Sequence, residues 1–149
     1  MDLFCIPQKE CAMTIKKFMT PEPISIGLDA SLERVKQLFE ARSFHHLLVV
    51  EDDKLLGIIS DRDYLKAISP NVDKKMATSK DLATLNKRAH QIMSHHPITV
   101  RQDDPLDTAL KIFKSEPISC LPVLDSRDHI VGILTIHNLI DAIHVKHDL

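Results

Sequence analysis

Residues 57–63 read GIISDRD and set a hydroxyl, a guanidinium and a carboxylate within four positions, at Ser60, Arg62 and Asp63. Two chemistries use such a set. In the first, Ser60 caps the N-terminus of a helix, and Asp63, at the third helical position, reaches back to the N–H of the cap residue in a capping box. In the second, Ser60 and Asp63 share hydrogen bonds with a ribose diol, Arg62 adds charge for a phosphate, and the helix start offers N–H groups to an anion. A cap does not require Gly57 three residues upstream. Glycine inside a strand costs stability, and it marks a close approach by a ligand or by another stretch of backbone. The constellation recurs as GILTIHN at 132–138, with Gly132, Thr135 and Asn138, and Thr135 and Asn138 stand three apart as Ser60 and Asp63 do. The two chemistries are compatible, because one side chain can cap in the empty state and bind in the filled one.

The other reactive residue types fall into place around these two stretches. His45 and His46 lead into the apolar run LLVV, where they serve either as ligand contacts or as strand-edge packing. Nine histidines raise the question of a metal. His144 and His147 are three apart and His95 and His96 adjacent, but no Cys or Glu partner completes a zinc spacing, so solvated histidines are expected and no metal site. Glu51, Asp52 and Asp53 read as a solvated turn. Cys5, Cys11 and Cys120 have no metal-like spacing and suit a reducing cytoplasm, with Cys5 and Cys11 able to pair only on oxidation. Cys120, beside LPVL, reads as a packed thiol rather than a nucleophile. No local motif assembles a Ser/His/Asp or Cys/His arrangement, and three glycines in the whole chain leave no room for a phosphate-cradling glycine loop. No catalytic residue, and no enzyme, is expected.

These residues are positioned by a repeat. Residues 18–68 align with 92–143 with one extra residue in the second copy, in the SRDH turn. Met19/Met93, Pro23/Pro97, Leu32/Leu106, Phe39/Phe113, Val49/Val123 and Gly57/Gly132 are identical pairs, so two of the three glycines fall at matching positions. Each copy opens on a short apolar segment after a proline, ISI at 24–26 and ITV at 98–100. An amphipathic helix follows, with Leu32, Val35, Leu38 and Phe39 on one side, or Leu106, Ala109, Leu110 and Phe113 behind Pro105. Two apolar strands joined by a turn come next, LLVV and LLGII, then LPVL and IVGIL. A closing helix spans 61–68 or 136–143. The fold class is therefore α+β, in two β-α-β-β-α repeats. A unit of that size rarely buries enough surface alone, so the copies are expected to share one pseudo-symmetric module. The divisions read as an N-terminal segment and lead-in helix at 1–17, repeat 1 at 18–68, a connector at 69–91 with a helix from about 81 to 92, repeat 2 at 92–143 and a tail at 144–149.

Composition excludes other classes. The chain has 149 residues, a net charge of −2, 44% hydrophobic and 27% charged residues, which is ordinary for a globular protein. No basic patch stands out for nucleic acid or an anionic membrane, no apolar run is long enough to span a bilayer, and the N-terminus lacks the pattern of a signal peptide. A cytoplasmic protein is expected.

The tandem β-α-β-β-α repeat carrying GIISDRD and GILTIHN in register, with LPV at 121–123, resembles a pair of cystathionine-β-synthase-type (CBS) domains, the Bateman module. The resemblance covers about residues 13–145 and implies a pseudo-twofold module that binds an adenosine compound such as AMP, ADP, ATP or S-adenosylmethionine and regulates a partner. It also implies two clefts, each built from both copies. The first would use Ser60 and Asp63 for the ribose and His45 and His46 for the phosphate, with residues near His96, Arg101, Ile118 and Ser119. The second would use Thr135 and Asn138, with Ser119 and Cys120 in the phosphate positions and residues near Glu22, Gly27, Phe44 and His45. His137 stands there in place of Arg62, and Asn138 in place of an acid. Tyr64, Leu65, Ile68, Leu139, Ile140 and Ile143 offer apolar flanks on the closing helices, through which such modules associate, so a homodimer is expected. The alternative is a dimerising interaction module that binds no nucleotide.

Overall fold

The protein is described by a computed structural model over residues 13–41 and 44–148. Cys5 and Cys11 lie outside the described residues, as do the side chains of His144 and His147. In chain order the strands are β1 (Thr20–Pro21), β2 (Ser25–Ile26), β3 (His46–Glu51), β4 (Lys54–Ser60), β5 (Ser94–His95), β6 (Val100–Arg101), β7 (Cys120–Leu124) and β8 (Ile130–Thr135). The helices are α1 (Leu32–Ala41), α2 (Asp61–Ala67), α3 (Ser79–Ala83), α4 (Ala89–Ile92), α5 (Leu106–Ser115) and α6 (Ile136–Asp148), with short 3-10 turns at Ile15–Lys17 and Thr84–Asn86.

The chain divides into two compact units. One, the first unit, is Ile24–Pro97; the other joins the chain up to Pro23 with the chain from Ile98. In the first unit the sheet order is β2-β3-β4-β5, with β2 parallel to β3 and the other pairs antiparallel. Leu32 and Val35 of α1 pack on Leu47, Val49 and Ile59 of the sheet, with Tyr64, Ala89 and Met93 closing the core. The second unit repeats the plan, with sheet order β1-β8-β7-β6 and a core of Ile15, Val100, Leu106, Ala109, Leu121, Val123, Leu134 and Leu139. Leu47 and Val49 of β3, like Leu121 and Val123 of β7, point to these cores from one face of the strand, and Leu48 and Pro122 between them are buried as well.

Each sheet borrows its edge strand from the segment that precedes the other repeat. Thr20 and Pro21 pair with Ile133 and Gly132, and His95 and Ser94 pair with Gly57 and Ile58. The lead-ins dock by matching backbone bonds. Ile15 N–H donates to the Asp104 carbonyl at 3.0 Å and Lys16 N–H to Gln102 at 2.9 Å; Ala89 N–H donates to Ala30 at 2.8 Å and His90 N–H to Leu28 at 3.0 Å. The same docking breaks the helix expected from about 81 to 92. Leu32 N–H takes the Lys87 carbonyl at 2.9 Å, and Ser31 bridges Arg88, so 87–88 run extended between the 3-10 turn and α4. The last helix, for its part, runs beyond 143 to Asp148.

This exchange explains the matched glycines. A Cβ on Gly57 would lie 2.5 Å from the Met93 sulfur and 2.8 Å from the Ser94 carbonyl oxygen; one on Gly132 would lie 2.6 Å from the Met19 sulfur and 2.8 Å from the Thr20 carbonyl oxygen. The close approach is made by the borrowed edge strand. Gly57→Ala and Gly132→Ala are each expected to destabilise the fold by about 1–3 kcal/mol, because the backbone oxygen cannot swing aside as a side chain can. Urea denaturation of each variant measures this, and an unchanged midpoint for both would refute the close packing.

The connector is tied down by one carboxylate. Asp81 accepts from the Thr78 N–H at 2.9 Å and from the Ser69 hydroxyl at 2.7 Å. These donors, Thr78 first, lower its pKa to about 2. Its contribution to stability is therefore complete above the ordinary carboxyl range and is lost as pH falls through about 2.

Candidate functional site

In the first unit the antiparallel register of β3 and β4 sets His46 opposite Ser60. The chain turns there into α2, and the Asp61 N–H donates to the His45 carbonyl at 2.9 Å. Ser60 is the N-cap. Its hydroxyl accepts from the Asp63 N–H at 3.1 Å, and Asp63 Oδ2 accepts from the Ser60 N–H at 2.9 Å. The capping box read from GIISDRD is thus formed. Two of the first three helical N–H groups are occupied, and Asp61 and Asp63 make the first turn acidic. The start of α2 therefore gives little welcome to an anion.

The first unit brings His45 and His46, at the start of β3, beside Ser60 and Asp61 at the start of α2. His45 and Arg62 are exposed and His46 is half-buried. His45 Nδ1 lies 2.9 Å from Asp61 Oδ2, with 57% and 47% of the two side chains exposed. Asp61 was not singled out by the sequence reading. The signal was present in the hairpin register, since a residue opposite His45 must be the one after Ser60. Phe44 is half-buried, its ring 5.7 Å from Phe39, which in turn lies 5.9 Å from Tyr64. His96, read as lent by the second copy, belongs to the first unit; it is exposed beyond β5 with φ at 51°, the left-handed region, ahead of Pro97. Glu22 repeats that conformation in the second unit, with φ at 53°.

In the second unit Cys120 pairs with Thr135, and the Ile136 N–H donates to the Ser119 carbonyl at 3.1 Å. Asn138 N–H donates to Thr135 Oγ1 at 3.2 Å. Asn138 Oδ1 accepts from the Thr135 N–H at 2.8 Å and from its hydroxyl at 3.1 Å. Its amide nitrogen donates to Thr20 Oγ1 at 3.1 Å, so Asn138 also fastens the borrowed strand β1. Ile136 stands where the first unit has Asp61, and Ser119 where it has His45. This edge carries few charges.

Cys120 is buried, and burial pushes its thiol up to about 12. A neutral buried thiol is a poor nucleophile at physiological pH. Its stabilising contribution holds below the ordinary thiol range and is lost only as pH rises through about 12. Iodoacetamide at pH 8 is expected to leave Cys120 unmodified until urea unfolds the chain, as read by peptide mass spectrometry; rapid native labelling at Cys120 would contradict this.

Arg101 does not join Ile118 and Ser119. It pairs with Leu124, at the far end of β7 from Cys120, roughly 13 Å away at strand rise. Its guanidinium bonds to the Asp128 carboxylate and the Asp125 carbonyl of the β7–β8 turn. It is a clasp of that hairpin. Ile118 is partly buried against the core of its unit. Gly27 faces the Glu51 carboxylate, 3.5 Å from where its Cβ would be. Among the described residues no group of three or more His, Cys, Asp or Glu could hold a metal, and no helix is long and apolar enough to cross a membrane.

The site thus consists, in each unit, of a strand-to-helix turn with an acceptor three residues into the helix and polar residues opening the neighbouring strand. Comparison with known proteins gives the chain's family. The CBS domain family matches residues 15–70 and again 89–145. A CBS domain-containing protein of Dictyostelium discoideum is 31% identical over 87% of this chain and 90% of its own length. CBSX2 of Arabidopsis thaliana, solved in complex with AMP, is 26% identical with a TM-score of 0.69, covering 89% of this chain and 98% of that one. A second CBS domain pair, solved with 5′-methylthioadenosine and S-adenosyl-L-methionine, is 28% identical with a TM-score of 0.71, covering 89% and 97%. Other relatives are far longer: the chain spans 23% of a homoserine O-acetyltransferase of Methanocorpusculum labreanum at 30% identity. The two family matches, one over each repeat, establish that this chain belongs to the CBS domain family as a tandem pair.

Proposed function

We propose that this protein is a cytoplasmic regulatory sensor that binds an adenosine-containing ligand, AMP, ADP, ATP or S-adenosylmethionine, without turning it over, and signals to a separate partner. The observation that carries the reading is the acceptor of the first unit. Asp63 spends Oδ2 on the cap, and Oδ1 accepts no hydrogen bond from a described residue, so the carboxylate keeps an oxygen for a ribose hydroxyl. Ser60 and Arg62 stand at that turn, and His45 and His46 open the strand paired with it. The AMP, methylthioadenosine and S-adenosylmethionine complexes of related CBS pairs supply the ligand class. In the second unit Thr135, Asn138 and Ser119 are the corresponding residues, with Asn138 already engaged to Thr20. Mass spectrometry of the protein purified under native conditions tests the reading: an adenosine compound released on denaturation, unchanged after incubation with the protein, is the expected result. Absence of any adenosine compound, together with no binding of one when added, would overturn it.

The second reading, a dimerising module without a nucleotide, is favoured by one fact: both motifs already satisfy a capping box. Dimerisation belongs to both readings. On α2, Leu65 is 65% exposed, and on α6 Ile140 and Ile143 are 55% and 57% exposed, whereas Tyr64 and Leu139 turn into their cores. The apolar flank expected from the sequence is therefore narrower than the residues first assigned to it. We propose a homodimer through these faces. Light scattering at tens of micromolar is expected to give twice the chain mass, and a Leu65→Lys/Ile140→Lys variant the single mass. A monomeric parent would remove the dimer without touching the ligand.

A further inference from the structure

We infer that Asp61 makes the first unit favour adenosine ligands carrying one phosphate over those carrying two or three; this rests on the ligand-binding reading above and specifies its ligand. Asp61 occupies the first position of α2, and its carboxylate Oδ2 lies 2.9 Å from His45 Nδ1, the side chain proposed to meet phosphate. Leaving the histidines aside, the charged groups of that turn are Arg62 on one side and Asp61 and Asp63 on the other, a balance of one negative charge. Arg62 makes no ion pair with a described residue and is exposed, so it can meet one phosphate. A second and third phosphate add charge beside Asp61 with no further cation of this turn to offset it. The second unit is the internal contrast: Ile136 stands at the corresponding position and has no such carboxylate.

Asp61 acts in two ways that separate by ligand charge. It orients His45, which weighs alike on every phosphorylated ligand. It repels phosphate, which grows with each added charge. The ratio of affinities isolates the second effect. Calorimetric titrations in magnesium-free, low-salt buffer with AMP, ADP and ATP are therefore run on the parent, Asp61→Asn and Asp61→Glu. The Asn side chain keeps an oxygen for His45 and drops the charge; Glu keeps the charge. Heats that vanish in Asp63→Ala are assigned to the first unit. The parent is expected to bind AMP more tightly than ADP, and ADP more tightly than ATP. Asp61→Asn is expected to raise the ATP-to-AMP affinity ratio by about five- to tenfold, and Asp61→Glu to keep the parental ratio. The gain should shrink at higher salt, as exposed charges are screened. An Asp61→Asn ratio within twofold of the parent, or a parent that binds ATP as tightly as AMP, would overturn the inference while leaving the adenosine-sensor reading intact. A parent that binds none of the three would overturn that reading, and this inference with it.

Discussion

Asp63→Ala is expected to weaken AMP binding by about ten- to a hundredfold while costing the fold only about 1 kcal/mol. A hydrogen bond to a charged acceptor contributes roughly 1.5–3 kcal/mol, and the substitution removes the acceptor proposed for the ribose. The carboxylate is held for that task by its own capping bond, since Oδ2 accepts from the Ser60 N–H at 2.9 Å. Losing the reciprocal bond is a cap defect, small beside the binding loss. Asn138→Ala is expected to affect binding less, because its amide oxygen already takes two donors from Thr135 and its nitrogen holds Thr20. Calorimetry and thermal melting of both variants measure the two quantities separately. A protein that melts early yet binds AMP like the parent would reduce GIISDRD to a helix cap.

Ile15→Ala is expected to destabilise the protein by about 2–5 kcal/mol, the cost of emptying a buried aliphatic site. Ile15 is fully buried in the core of the second unit, although it stands ahead of the first repeat in sequence. It is placed there by its N–H bond to the Asp104 carbonyl at 3.0 Å, so its side chain cannot withdraw without undoing the docked 3-10 turn. Its counterpart in the first unit, Ala89, is equally buried but is already small, so a similar truncation has no equivalent there. Guanidinium denaturation followed by circular dichroism provides the number. A change below about 0.5 kcal/mol would show that the lead-in is not part of that core.

Much of this architecture was legible in the residues. The identities at Met19/Met93 and Gly57/Gly132, the apolar periodicity of α1 and the strand pairs LLVV/LLGII and LPVL/IVGIL survive in the structure, while on α5 Leu106 and Ala109 turn inward but Leu110, read on the same side, is 45% exposed. These depend on local periodicity and on matched repeats, which sequence carries directly. The capping boxes at Ser60/Asp63 and Thr135/Asn138 were legible for the same reason, because their partners lie three residues apart. What was not legible depends on contacts distant in sequence. The edge-strand exchange joins Pro21 to Gly132, and a glycine cannot announce whether a ligand or a methionine lies against it. Arg101 was placed near the first cleft by the family resemblance, whereas its guanidinium bonds within the 125–128 turn. Tyr64 and Leu139 were assigned to an exposed flank because the short closing helices give too few turns to fix which apolar residues face inward. Asp61 was overlooked because its role is set by the cross-strand neighbour His45 rather than by its position in the motif.

The Ser60–Asp63 turn is proposed to hold an adenosine compound through its ribose. The most direct test is a calorimetric titration of the native protein with AMP and, in parallel, with 2′,3′-dideoxy-AMP, which keeps the base and the phosphate but lacks the diol. Saturable binding of AMP, with the dideoxy compound weaker by at least about tenfold, is the predicted result. Equal binding of the two, or no binding of AMP or any other adenosine compound, would contradict it.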